Sequence, residues 1–158
     1  PVYTDMTVLE YLKFVAELKK IPKDQRKKQI LEVMNLVKIT DMQNRLIKNL
    51  SKGYRQRVGL AQAVLGFPEI IILDEPTAAL DPIAEYEVYS KFNEIVQDKT
   101  AIYISHRLSS CRFCDVIAVF DGGQIVQRGV HDRLLQDTHG KYYELWNAQA
   151  QYYTEQPA

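Results

Sequence analysis

Four consecutive apolar residues, Ile70-Ile71-Ile72-Leu73, end on two carboxylates, Asp74-Glu75. A short, continuous run rich in β-branched residues predicts a strand buried on both faces, as in parallel sheets covered by helices on each side. Such a strand needs parallel partners and covering helices from elsewhere in the chain, and the downstream sequence offers both. A helix is expected from about Pro82 to Gln97, with Pro82 in its first turn, then a second strand over Ala101–Ile104 and a short helix near Leu108–Arg112. Strands at Val116–Phe120 and Gln124–Gln127 are joined through Asp121-Gly122-Gly123, a hairpin signal. Helices near Asp132–Gln136 and from Lys141 to about Tyr152 follow, and the tail from Thr154 to Ala158 is expected to fray.

The first third reads as helical. Thr7 with Glu10 three residues on is a capping-box pattern, and Val8, Leu12, Val15 and Leu18 recur at helical spacing. Lys19 and Lys20 fall in the last turn, where cations suit the helix dipole, and Pro22 marks a break. A second helix is predicted over 23–38, with Ile30, Leu31, Met34 and Val37 on one stripe and a solvated Lys/Gln face. Ser51 is a good N-cap for a third helix through Ala63 and Leu65, which Gly66 and Pro68 end. Helices first and then strand–helix–strand point to an α/β fold with an N-terminal helical subdomain over 1–66 and an α/β subdomain over 67–158.

Composition narrows the classes of function. Of 158 residues, 46% are hydrophobic and 25% charged, values of an ordinary globular chain. No apolar run approaches the roughly 20 residues of a membrane-spanning helix, and two cysteines make no disulfide framework, which suits a reducing compartment. The net charge of zero hides an asymmetry: residues 1–57 carry 13 Lys/Arg against 6 Asp/Glu, and residues 58–158 carry 7 against 14. A basic face could meet a polyanion or an acidic partner. No aromatic-plus-basic stripe accompanies it, which argues against nucleic acid.

A strand that delivers two carboxylates at its carboxyl end can hold a divalent cation with the first and polarise a water with the second. Alone the feature is weak, since a solvated loop after a core strand looks the same. Three more segments accompany it: Leu50-Ser51-Lys52-Gly53-Tyr54-Arg55-Gln56-Arg57 one helix upstream, Ala78-Ala79-Leu80-Asp81 just after, and Ile104-Ser105-His106 at the end of the next strand. In this order and spacing, across essentially the whole chain, they resemble the nucleotide-binding domain of ATP-binding cassette (ABC) transporters, a P-loop ATPase core.

The resemblance implies roles. Leu50–Tyr54 matches the signature loop, commonly Leu-Ser-Gly-Gly-Gln, so Ser51, Lys52, Gly53 and Tyr54 would face a nucleotide bound by an opposite subunit. A helix N-terminus with free N–H groups suits that anion. Lys52 and Tyr54 depart from the common Gly and Gln. Asp74 matches the Walker B residue that holds Mg²⁺, Glu75 the catalytic base, Asp81 the D-loop residue linking two sites, and His106 the switch histidine. ATP and Mg²⁺ are the implied ligands. A second ATPase domain and a transmembrane permease are the implied partners, at the cytoplasmic face of a membrane, and the implied function is ATP hydrolysis that drives export.

The sequence holds no G-x-x-x-x-G-K-[ST] loop to cradle phosphates; Gly140-Lys141 is followed by Tyr142 and does not qualify. The chain thus looks like a domain without its first third, expected to hydrolyse ATP negligibly alone and to leave the 70–73 strand with an unpaired neighbour. The alternative is a truncated or chimeric, non-catalytic domain acting only through its signature-side surface. Residues 1–77 look like ATPase subunits whose permease is a separate chain, and residues from about Ala78 to Tyr153 like fused exporters, with the change at or just past Leu73–Thr77. Recombination, a misjoined assembly, a designed chimera and one subfamily with both traits all fit. Cys111-Arg112-Phe113-Cys114 is a CxxC without a second pair, so a zinc site would need His106 or His131; burial on the short helix is the simpler expectation. The aromatic C-terminal helix with Tyr142, Tyr143, Trp146, Tyr152 and Tyr153 is expected to pack back onto the sheet, with a partner-docking surface as the alternative.

Overall fold

The computed structural model describes residues 2–96 and 99–154, with side chains over 2–93 and 99–150. The chain forms two compact units, 1–104 and 105–158.

In the first unit, α1 (Val8–Leu18) starts from a complete capping box: Thr7 Oγ1 accepts from the Glu10 N–H, and the Glu10 carboxylate accepts from the Thr7 N–H at 2.9 Å. These bonds hold the Glu10 carboxyl below its usual range. Val8, Leu12 and Val15 are buried as the spacing predicts, whereas Leu18, the last residue, is exposed. Lys19 serves a different helix from the one expected. α1 ends at Leu18, and the Lys19 ammonium donates to the carbonyls of Gln62, Ala63 and Leu65, at 2.8, 3.1 and 2.7 Å. It caps the orphan carbonyls of α3 (Lys52–Val64).

On α2 (Lys23–Leu36) the buried stripe is Ile30, Val33 and Met34, continued by Val37, and Leu31 is exposed. Leu31 stands about 100° around the helix from Ile30, whereas Val33, Met34 and Val37 complete the i+3, i+4, i+7 repeat. α3 begins where expected, with Ser51 as its N-cap.

β1 (Ile70–Asp74), α4 (Pro82–Val96) and β2 (Thr100–Ile104) form a strand–helix–strand crossover. The two strands pair in parallel, from Ile70 opposite Thr100 to Asp74 opposite Ile104. Gln97 lies outside the described residues. The expectation of a doubly buried strand is corrected here. Ile71 and Leu73 enter the core, but Ile70 and Ile72 are each 64% exposed, and Ile102 and Ile104 of β2 are exposed beside them. A parallel strand is buried twice only where helices cover both faces; among the described residues of this unit, cover lies on one. That cover is a single core running through α1, α2, α3, β1 and α4, so the helices of 1–66 and the β1–α4–β2 layer pack together.

In the second unit β3 (Ile117–Asp121) and β4 (Gln124–Gly129) pair antiparallel around Gly122-Gly123, with φ of +55° and +77°. Two successive left-handed residues make a two-residue hairpin turn open to glycine at little cost. A 3-10 turn (Leu108–Phe113) stands where a short helix is expected, and α5 (His131–Gln136) and α6 (Lys141–Thr154) follow. The core is Leu108, Ile117, Val119, Leu134 and Tyr142. Tyr142 is fully buried, its hydroxyl 2.8 Å from His131 Nδ1 and its ring stacked on Trp146. Cys111 and Cys114 pack half-buried against this core, and burial pushes the Cys111 thiol up to about 11, so it stays protonated. Among the described residues no three His, Cys, Asp or Glu side chains group to hold a metal. Residues 155–158 of the expected frayed tail lie outside the described residues.

Candidate functional site

The site residues of the first unit gather where the carboxyl end of β1 meets the start of α3. Asp74 is the last residue of β1 and is exposed. The chain turns at Glu75, whose φ of +44° is left-handed, a conformation costing a non-glycine residue about 1–2 kcal/mol. Backbone bonds hold it there. The Glu75 N–H donates to the Ile104 carbonyl at 2.9 Å, one step beyond the β1–β2 ladder. The Glu75 carbonyl accepts from the Ala78 N–H at 3.3 Å and from Gln56 Nε2 at 2.6 Å.

Gln56 belongs to α3, and its Oε1 accepts from the Ala79 N–H at 2.7 Å. One carboxamide therefore spans both ends of the turn after Glu75. The first turn of α3 lies against the same segment: a Cβ on Gly53 would sit 3.0 Å from the Ala79 carbonyl oxygen, so the close approach requires glycine. Ser51 Oγ accepts from the Tyr54 N–H at 3.3 Å, and the N-cap leaves the other N–H groups of that turn as donors. Lys52 is exposed. The Arg57 guanidinium lies 5.7 Å from the Tyr54 ring centroid, in cation–π range.

Asp81 caps α4: its Oδ1 accepts from the Ala84 N–H at 2.9 Å, and that bond holds its carboxyl below the usual range. This capping is a structural role that the sequence reading did not assign. Thr77, buried between these residues, donates to Glu85 Oε1 at 2.7 Å.

His106 belongs to the second unit and is exposed. Its carbonyl accepts from Gln149 Nε2, while Gln149 Oε1 accepts from the Leu108 N–H at 3.0 Å. Ser51–Tyr54, Asp74, Glu75 and Asp81 thus share one unit, and His106 lies in the other. Sequence reasoning missed Gln56 and Gln149. Neither has reactive chemistry of its own, and what a carboxamide does for a turn shows only once the backbone groups around it are placed.

The exposed Asp74 carboxylate is a hard oxygen donor of the kind Mg²⁺ takes, one or two at a time, alongside waters and phosphate oxygens. It fits as one protein ligand of a magnesium site, with Glu75 as the next carboxylate along the chain. An open hollow at the far end of α3, lined by Lys19, Ile21, Gln29 and Gly66, includes none of these residues in its lining.

A family model described as ABC transporter matches residues 2–78. Similar curated proteins include the ABC multidrug transporter MDR5 of Trichophyton rubrum, 44% identical over 101 residues, covering 64% of this chain and 8% of that protein. The mitochondrial iron-sulfur clusters transporter ABCB7 of Homo sapiens is 41% identical over 101 residues, covering 64% of this chain and 13% of its own. The mycobactin import ATP-binding/permease protein IrtA of Mycobacterium tuberculosis is 45% identical over 98 residues, with 62% and 11% covered. A solved structure of a bacterial Atm1-family ABC exporter with ATP bound superposes with a TM-score of 0.78 at 27% identity, covering 94% of this chain and 27% of that one. The chain spans between 7% and 15% of the length of such curated relatives.

Proposed function

We propose that the chain, as part of a nucleotide-binding domain of the ABC transporter family, supplies the hydrolytic and signature surfaces of an ATPase that drives export across a membrane. In this reading residues 1–66 are the helical subdomain and 67–158 the α/β subdomain. Two such domains close on two nucleotides, and closure moves a transmembrane permease at the cytoplasmic face. Among the described residues no helix is long and apolar enough to cross a membrane.

Water attacks the γ-phosphorus in line with the departing ADP oxygen. Glu75 orients that water and accepts its proton, and His106 supports the charge developing on the phosphoryl oxygens. Mg²⁺, when bound, neutralises phosphate charge, with Asp74 as its protein ligand. Ser51, Lys52, Gly53 and Tyr54 complete the partner domain's site with the N–H groups of a helix start and a cation, and Asp81 links the two sites.

The observation that carries this reading is the meeting of two surfaces in one unit: the carboxylates at the end of β1 and the helix start of α3, in contact through Gly53 and Ala79. The names of the similar multidrug transporter and exporter support export. To test the reading, the open reading frame is read from well upstream of Pro1 through Ala158 and its whole product is purified. MgATP turnover that falls at least 100-fold on Glu75→Gln is expected. A whole product without turnover, or one indifferent to Glu75→Gln, overturns the reading in favour of a non-catalytic interaction domain.

A further inference from the structure

Glu75 is held in an unfavourable backbone conformation, and something must keep it there, because a carboxylate's direction follows from the φ of its own residue. Its backbone is held from both sides. The Ile104 carbonyl fixes the N–H, and the Ala78 N–H, at 3.3 Å, is the longer of the two donors to the carbonyl. The shorter, at 2.6 Å, is Gln56 Nε2. Gln56 Oε1 takes the Ala79 N–H at 2.7 Å, so the amide's orientation is fixed at both ends: a flipped carboxamide would set donor against donor and acceptor against acceptor.

We propose that Gln56 is the positioning residue for Glu75, its carboxamide locking the left-handed turn that aims the carboxylate and tying that turn to the first turn of α3. This rests on the hydrolytic role given to Glu75 above. The link runs both ways. Gln56 is about one turn from the helix start that would meet a partner's nucleotide, and Gly53 lets that start lie against Ala79. A shift of α3 on nucleotide contact therefore pulls on the Glu75 carbonyl and the Ala79 N–H together.

Only a side chain with a donor and an acceptor can satisfy both backbone groups, and this gives variants that separate the halves of the lock. Gln56→Glu keeps the acceptor for Ala79 and sets a carboxylate against the Glu75 carbonyl. Gln56→Leu removes both bonds. The first measurement is amide hydrogen exchange of Ala79 in this chain: Gln56→Leu is expected to speed it about tenfold, and Gln56→Glu less than threefold. The second is steady-state ATP hydrolysis by the whole product of the reading frame. Both variants are expected to lower kcat about tenfold or more, with the KM for MgATP within twofold of the parent, because the turn aims the carboxylate and does not hold the nucleotide. A merely structural tie would instead track Ala79 protection, so that Gln56→Glu would keep its kcat. An active parent with a Gln56→Glu variant of unchanged kcat overturns the positioning role and leaves the proposed function standing. An inactive parent overturns both. A variant that loses its fold shows raised exchange throughout α3, and the Gln56→Glu result then decides alone.

Discussion

The two compact units differ most in how much core they own. Over the described residues, 25 apolar side chains are buried together in the unit of 1–104 and five in the unit of 105–158. The first unit can lose a large side chain and keep a core; the second hangs on Tyr142, its only fully buried aromatic among the described residues. Yet both use the same device beside a candidate functional residue. A glutamine carboxamide bridges a carbonyl and an N–H on either side of a turn, Gln56 after Glu75 and Gln149 after His106. Local geometry near the chemistry is thus set by similar clamps, while the stability behind each clamp is unequal.

The sharpest way to break this comparison is a matched pair of core truncations. Tyr142→Ala and Phe92→Ala each remove a buried aromatic worth about 3–5 kcal/mol. That is close to the whole stability of a small unit, so Tyr142→Ala is expected to abolish the folding transition of 105–158. Trp146, the only tryptophan, reports it by fluorescence. Phe92→Ala is expected to lower the melting temperature of 1–104 and leave its helical circular dichroism intact. Equal, modest losses in both would show that the second unit is better supported than its own core suggests.

A smaller effect separates the two glycines of α3. Gly59 has open space around its would-be Cβ, whereas Gly53 meets the Ala79 carbonyl. Gly59→Ala is expected to stabilise by about 1 kcal/mol, the helix-propensity difference. Gly53→Ala should show no such gain, because the Cβ must push the Asp74–Asp81 turn away. Chemical denaturation of both variants measures this. Lys19→Met removes the ammonium from three carbonyls and is expected to cost about 1 kcal/mol in the same assay.

Acid separates the units last. Burial lowers the pKa of His131, so the folded second unit binds a proton less readily than the unfolded chain. Its stability is whole above the usual histidine range and falls as the pH drops below about 6.5. In the first unit the carboxyls held down are Glu10, by Thr7, and Asp81, by the Ala84 N–H; burial lowers the Lys19 ammonium too, but lysine does not titrate in the acid range. The contribution of the two carboxyls is present above the ordinary carboxylate range and is lost only as the pH falls below about 4 and through their lowered values. Melting followed by Trp146 fluorescence should therefore shift down at a higher pH than melting followed by helical signal.

Much of this was legible in the sequence where the determinant is local. The Thr7/Glu10 box, the Ser51 cap, the Pro82 helix start and the Gly122-Gly123 turn all appear as read, because each depends on residues within one turn of one another. The misreadings are tertiary. Ile70–Leu73 reads as doubly buried because periodicity registers apolar content and not whether a second layer is present. Leu31 and Val33 are both apolar, and only packing selects the phase. Lys19 reads as a cation for its own helix because the sequence does not bring α3's last carbonyls near it. Asp74 and Glu75 stand out as two carboxylates ending an apolar strand, and Asp81 and His106 only through the resemblance to the ABC family, but the left-handed Glu75 and the carboxamide that holds it needed coordinates.

The most direct test of the division of labour assigned to this chain is ATP hydrolysis by the pure 158-residue chain itself, with MgATP in excess. It carries carboxylates and a helix start but no glycine-rich phosphate cradle, so turnover at background, unchanged by Glu75→Gln, is expected. Turnover well above background that Glu75→Gln abolishes would contradict this, because the chain would then hold its own nucleotide by groups not assigned to that task.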